Sequence, residues 1–310
     1  MTNEMYPSYQ SFQKSKFLSI KHDNFFPIYE KTFQKYRGKP IVFVEIGILH
    51  GGSLFMWRDY FGKDARIIGI DLDPGAKKWE EHGFEIWIGD QSDPKFWQDF
   101  FATVGSVDIV LDDGGHTNEH QLITTLETLP NINDGGVLLV EDVYTSYSND
   151  YGNPSRYSFI NFCKNVIDIV NSRYGQFSTS SSIITGIVWS TEYFESVVCF
   201  HVDRTLCTRS FGVWNEGFRD NATDFRYEKV NILVKGVRLL SVLLSTKDLT
   251  VGNRNASFAK LNPMLQSRAF RWIRLLLQPL NYLARWFWTL ARKYSNLRLS
   301  KYFRIHSWKN

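Results

Sequence analysis

Five short β-branched runs recur through the first half of the chain, and each ends in an acidic residue. They are IVFVEIG (41–47), ARIIGIDLDP (65–74), FEIWIGDQSD (84–93), VDIVLDDGG (107–115) and GGVLLVEDV (135–143). Between them lie stretches of helical spacing: LHGGSLFMWRDYF, in which Ser53 is placed to cap the helix start, then 76–82, PKFWQDFFATVG and NEHQLITTLETLPNI. Strand and helix alternating in this way predict βαβ units, that is, an α/β fold with a mostly parallel sheet covered by helices on both faces.

The acids are Glu45, Asp71, Asp90, the pair Asp112 and Asp113, and the pair Glu141 and Asp142. An open α/β sheet binds its ligand outside the carboxyl ends of its strands. One acid there would be an ordinary solvated strand end. A repeat at the same end of five strands points to a site. Gly47, Gly51 and Gly52 make a glycine-rich turn after the first strand, where backbone can approach a ligand closely. The turn is neither GxGxxG nor a phosphate loop, because no Lys follows it. Asp71 stands where an acid bonds ribose hydroxyls, and Asp90, Gln91 and Ser92 offer hydrogen bonds suited to an adenine edge. This set describes an adenosine-bearing ligand without a pyrophosphate.

Asp113, Glu141 and Asp142 describe a second task. Three carboxylates converging from neighbouring strand ends repel one another unless a cation or a shared proton intervenes. All-oxygen ligation suits a hard ion such as Mg²⁺. His116, three residues past Asp113, would stand beside that ion and accept a proton from a hydroxyl. In the plainer reading His116 caps the following helix and the acids cap loops. Both stay open at this level.

VEIGILHGGSLFMWRDYF, GIDLDP, GDQSD, LDDGGHTNEHQ and VEDVYTSY, in that order, resemble the class I S-adenosylmethionine-dependent O-methyltransferases that act on sugar hydroxyls. The likeness is to the macrolide-sugar O-methyltransferases and the related cephalosporin hydroxylase-like family. It runs from about His22 to Tyr147 and more weakly to about Val202. The resemblance implies a Rossmann-like sheet of seven strands, the last antiparallel, with SSIITGIVWS and FESVVCFHV as strands six and seven. It implies that Glu45, Gly47, Ser53, Asp71, Asp90, Gln91, Ser92 and Asp112 surround S-adenosylmethionine. It makes Asp113, Glu141 and Asp142 the Mg²⁺ ligands and His116 the general base. HDNFFPIYEKTF resembles the family's N-terminal helix over the active site, in which His22 and Tyr29 are the residues to test first. The stretch 148–175 reads as a substrate lid, a loop plus an amphipathic helix, with Tyr147, Tyr151 and Tyr157 available to a sugar ring.

Composition sets the rest of the expectation. The 310 residues are 43% hydrophobic and 22% charged, enough to bury a core. Cys163, Cys199 and Cys207 form neither a CxxC pair nor an even set, which suggests no disulfide framework and no cysteine zinc site. MTNEMYPSYQ lacks the features of a secretory signal and no apolar run reaches eighteen residues, so a cytoplasmic protein is expected. Twelve of the 36 Lys and Arg, and none of the 32 acids, fall in the last sixty residues, which leaves the first 250 at net −8. The expected organisation is a helical cap (1–37), a catalytic domain (38–203), a connecting region (204–250) and a basic, aromatic, helical extension (251–310). The extension either packs on the domain or a second subunit, or lies on an anionic membrane surface. RNA binding is a third use of such a stretch, though nucleic acid is not the expected partner. The expected acceptor is a sugar or glycan, surface or lipid-linked. The alternatives are a soluble natural product or an inactive scaffold that keeps only the fold. An NAD-linked oxidoreductase is disfavoured by the missing pyrophosphate loop.

Overall fold

The computed structural model describes residues 3–151, 157–174, 182–208, 210–218 and 286. The chain divides into two compact units, Met1–Trp214 and Asn215–Asn310. Most of the second unit, with the basic extension and most of the connecting region, lies outside the described residues.

The first unit is a seven-stranded sheet in the order β3-β2-β1-β4-β5-β7-β6. β1 (Val42–Ile46), β2 (Arg66–Asp71), β3 (Glu85–Ile88), β4 (Val107–Asp112) and β5 (Ile132–Val140) are parallel, and β7 (Val197–Val202) runs antiparallel to both β5 and β6 (Val188–Phe194). The expectation for strand six starts too early. Ile183–Gly186 is a 3₁₀ turn, and the strand begins only at Val188, where pairing with Val202 becomes available. A short apolar run has the same composition in either state.

Helices cover both faces, as continuous apolar strands require. α1 (Pro7–Lys14), α2 (Phe25–Phe33) and α3 (Gly52–Phe61) lie on one side. There Tyr29, Phe33, Trp57 and Phe61 pack with Phe43, Ile109 and Leu139. On the other side lie α4 (Pro94–Val104), α5 (Asn118–Thr128) and α6 (Phe159–Asn171); Trp97 and Phe100 of α4, Phe159 and Val166 of α6 and the partly buried Leu122 of α5 pack with Val44, Val110 and Leu138. Asp93 starts α4, accepting from the Lys95 N–H, and Ser158 starts α6 in the same way. α3 differs from expectation. Its N-cap position is Gly51 with positive φ and no side-chain cap, because the Ser53 hydroxyl is used elsewhere.

The strand ends are level. Ile46 pairs with both Ile70 and Asp112, Asp71 with Ile88, and Asp112 with Val140. The chain leaves β1 toward β2 on one side and reaches β4 on the other. The crevice at that reversal is where such a sheet takes a ligand.

Candidate functional site

A cleft of about 480 Å³ opens at this reversal, lined by Gly47, Asp71, Asp90, Gln91, His116 and Asp142 among others. Gly47 is needed there. Its φ is +81°, and a Cβ on it would come within 2.2 Å of the Asp113 carbonyl oxygen. Leu49, His116 and Asp142 also line the cleft, with φ of 40°, 55° and 54°. Non-glycine residues held in the left-handed region cost free energy and gather at functional sites.

The part of the cleft expected to take adenosine is built on Asp71 and Gln91. Asp71 Oδ2 accepts from the N–H groups of Ile48 and Leu49, both at 3.1 Å, and its Oδ1 accepts from Asp73 N–H at 2.9 Å. Asp71 thus clamps the turn after β1 while lining the cleft. Gln91 is buried. Its amide donates to Asp112 Oδ1 at 2.9 Å and to Thr124 Oγ1 at 3.0 Å, and its oxygen accepts from Gly115 N–H at 2.7 Å. Asp112 is buried and burial raises its carboxyl pKa, a shift that the Gln91 and Gly114 hydrogen bonds oppose. Asp90 accepts from the Ser92 N–H and hydroxyl, at 2.8 and 2.7 Å, and these bonds hold its pKa down. The Ser92 hydroxyl is therefore turned to Asp90.

Asp113, His116 and Asp142 gather at the rim, with one candidate ligand atom from each within 4.8 Å of the others. His116 Nε2 lies 3.6 Å from Asp142 Oδ2 and 3.9 Å from Asp113 Oδ1. Asp142 Oδ1 is buried without a hydrogen-bond partner, and burial raises the Asp142 carboxyl while His116 opposes the shift. Two carboxylates clustered at the rim, one of them with an orphaned buried oxygen, are a donor set that fits a hard cation. His116 is not the cap of α5. Thr117 is, through a 3.2 Å bond from His120 N–H, and the His116 carbonyl accepts from Thr145 Oγ1 at 2.7 Å.

Two of the expected acids face elsewhere. Glu45 is the penultimate residue of β1, so strand alternation turns it under α3 rather than toward the cleft. It is fully buried, accepting from Ser53 Oγ at 2.7 Å and Trp57 Nε1 at 3.1 Å, and burial pushes its carboxyl up to about 7. Glu141 is also fully buried. Tyr29 donates a short hydrogen bond to one of its oxygens, and Lys21 Nζ donates to the other at 3.1 Å. Burial raises the carboxyl pKa of Glu141 and the phenol pKa of Tyr29.

Residues absent from the sequence-based set also border the site. His120 lines the cleft with a buried Nδ1 that has no hydrogen-bond partner. It stands four residues past His116 on the first turn of α5, a spacing that could have found it. Tyr144 is exposed, its ring 6.4 Å from that of His22. Tyr151, already expected beside the acceptor, lies 6.4 Å from the His116 ring.

Residues 44–143 match a family described as a methyltransferase domain. The demethylmacrocin O-methyltransferase of Streptomyces fradiae is 35% identical over 138 residues, 42% of this chain and 34% of that protein. The 8-demethyl-8-alpha-L-rhamnosyl tetracenomycin-C 2'-O-methyltransferase of Streptomyces olivaceus is 35% identical over 152 residues, 45% of this chain and 39% of that protein. The chain therefore spans little more than a third of the length of these curated relatives. Among solved structures, MycE methyltransferase from the mycinamycin pathway, in complex with Mg, SAH and mycinamycin VI, superposes with a TM-score of 0.57 at 24% identity, covering 72% of this chain and 56% of that one. That likeness is one of fold. Among the described residues no helix is long and apolar enough to cross a membrane.

Proposed function

We propose, from the premise that residues 44–143 are a methyltransferase domain of class I fold, that this chain is an S-adenosylmethionine- and Mg²⁺-dependent O-methyltransferase acting on a sugar hydroxyl. The observation that carries the proposal is the gathering of Asp113, His116 and Asp142 at the rim of the cleft on the β1/β4 reversal. The relatives' names point to sugars carried by natural products, and a glycosylated small molecule is the acceptor class they support. A surface or lipid-linked glycan is the second reading. It rests on the acid-free basic segment 251–310, which would suit an anionic membrane face.

When bound, S-adenosylmethionine supplies the methyl group and Mg²⁺ supplies charge that favours a deprotonated acceptor hydroxyl. Asp71, Asp90, Gln91 and the backbone at Gly47 would hold the adenosine, with Gln91 acting through Asp112 and Gly115. Asp113 and Asp142 would hold the metal, because its preference for oxygen leaves the imidazole free. His116 Nε2, held beside both carboxylates, accepts the hydroxyl proton and shares the resulting charge with them. Most of the acceleration comes from fixing the two reactants against each other.

Calorimetry with S-adenosylmethionine and with NAD tests the cofactor. Mass spectrometry of glycosylated macrolide acceptors, with and without chelator, tests the reaction. Binding of S-adenosylmethionine with methyl transfer that chelator abolishes and Mg²⁺ restores is expected. Transfer undiminished by excess chelator would refute the metal's part. Binding without transfer to any sugar would favour a scaffold.

A further inference from the structure

Lys21 is a deeply enclosed cation that the mechanism above does not use. Its side chain is 1% exposed, and its Nζ lies 2.6 Å from Asp113 Oδ2, 3.1 Å from Glu141 Oε2 and 3.7 Å from Glu45 Oε1. The first two are hydrogen bonds with charged partners, and the third is an electrostatic contact beyond bonding distance. The segment carrying Lys21 crosses the strand ends between α1 and α2. Ser15 Oγ anchors it on the Gly52 carbonyl at 2.8 Å. The carbonyls of Phe17 and Leu18 press so closely on Gly52 that a Cβ there would meet them at 2.3 and 2.4 Å. Ile20 then lines the cleft, and His22 Nε2 reaches to 3.7 Å from Asp142 Oδ1.

The two sides of this cluster differ in room. Glu45 and Glu141 have no exposed surface, whereas the side chains of Asp113 and Asp142 keep 21% and 16% exposure. Mg²⁺ keeps several of its waters when it binds, so it needs open space beside its ligands. An ammonium on a fixed stem needs none. Asp113 belongs to both sides. One of its oxygens is held by Lys21, and the other faces His116.

We infer that Lys21 is the resident cation of this site, holding Glu141 and Glu45 out of the ligand set, fixing the rotamer of Asp113 and confining a divalent ion to the outer rim. The inference rests on the metal reading proposed above, and it makes Lys21 a positioning residue that also sets the charge the metal meets. A lysine that merely filled a core position would have no effect on metal affinity beyond stability.

The test is calorimetric titration of Mg²⁺, and separately Mn²⁺, into the full chain and two variants, with melting temperature recorded against metal concentration. Lys21→Met keeps most of the side chain's bulk and removes its charge. It should bind Mg²⁺ at least about tenfold more tightly, because a like charge close to the ion is gone. Its melting temperature should become steeply dependent on Mg²⁺. Lys21→Met with Glu141→Gln removes the cation together with one partner acid, and should return Mg²⁺ affinity to within about threefold of the unaltered chain. Lys21→Met with unchanged or weaker Mg²⁺ binding would overturn the inference. So would loss of Mg²⁺ binding in the double variant, which would make Glu141 a ligand. If Lys21→Met does not fold, Lys21→Gln, which also removes the charge, is titrated in its place and judged by the same outcomes. An unaltered chain that binds neither ion removes the metal reading itself, and the Lys21 inference with it. Normal binding unaffected by Lys21→Met removes the inference alone.

Discussion

Gln91→Glu changes one amide nitrogen to oxygen in a buried position and leaves the shape intact. In the native chain that nitrogen donates to Asp112 Oδ1 at 2.9 Å and to Thr124 Oγ1 at 3.0 Å. The threonine hydroxyl can rotate and donate to a carboxylate, and the bond from Gly115 N–H to the other oxygen survives. The contact with Asp112 does not survive ionised, because two buried carboxylates would then face each other. Leaving a buried charged acceptor without its donor costs about 1–3 kcal/mol, and like-charge repulsion adds to this. We expect a loss of about 3 kcal/mol at neutral pH, or a melting temperature lower by about 6–12 °C for a domain of this size. The pH dependence identifies the cause. Burial already raises the Asp112 carboxyl. A second carboxylate would make the folded pair bind a proton more tightly than the unfolded chain does. A raised folded-state pKa gives stability that is present at low pH and lost as pH rises. The variant should therefore approach the native chain near about pH 5, where one shared proton replaces the amide hydrogen, and fall behind it toward about pH 8. Thermal melts of both chains across that range are the assay. A melting temperature unchanged at the higher pH, or a deficit equal at both ends, would show that the Gln91–Asp112 contact does not hold this loop.

Asp71→Ala should weaken S-adenosylmethionine binding by roughly ten- to a hundred-fold in calorimetry, through lost charge-assisted bonds and a released turn at Ile48 and Leu49. Unchanged affinity would remove Asp71 from the cofactor site. His116→Ala should lower turnover by about 10²–10⁴ while cofactor affinity stays near native. A near-native rate would mean that the rim is not the reaction centre. If segment 251–310 binds an anionic surface, the full chain should pellet with anionic vesicles at low salt, less so at high salt, and not with neutral vesicles, each basic residue contributing about 1 kcal/mol. Indifference to lipid charge would leave the soluble acceptor as the better reading.

The alternation of β-branched runs with helical spacing was enough to place β1 to β5 and the helices between them, because hydrophobic periodicity is a local property that burial preserves. It also placed Asp71, Asp90, Gln91, Asp113, His116 and Asp142 at one end of the sheet, since parallel strands of matched register deliver their C-termini to one edge. Which acids face the cleft was decided only in three dimensions. Glu45 stands one residue short of its strand end and so falls on the face covered by α3, where Ser53 serves it instead of capping the helix. Glu141 follows its strand directly, yet it turns inward because Tyr29 and Lys21 meet it there. Lys21 is 92 residues from Asp113 and 120 from Glu141 in sequence. Nothing in a sequence period reports such a pairing. A charge goes wherever the folded backbone leaves an unmatched partner out of water, and that place exists only after the sheet and its covering helices have closed around it.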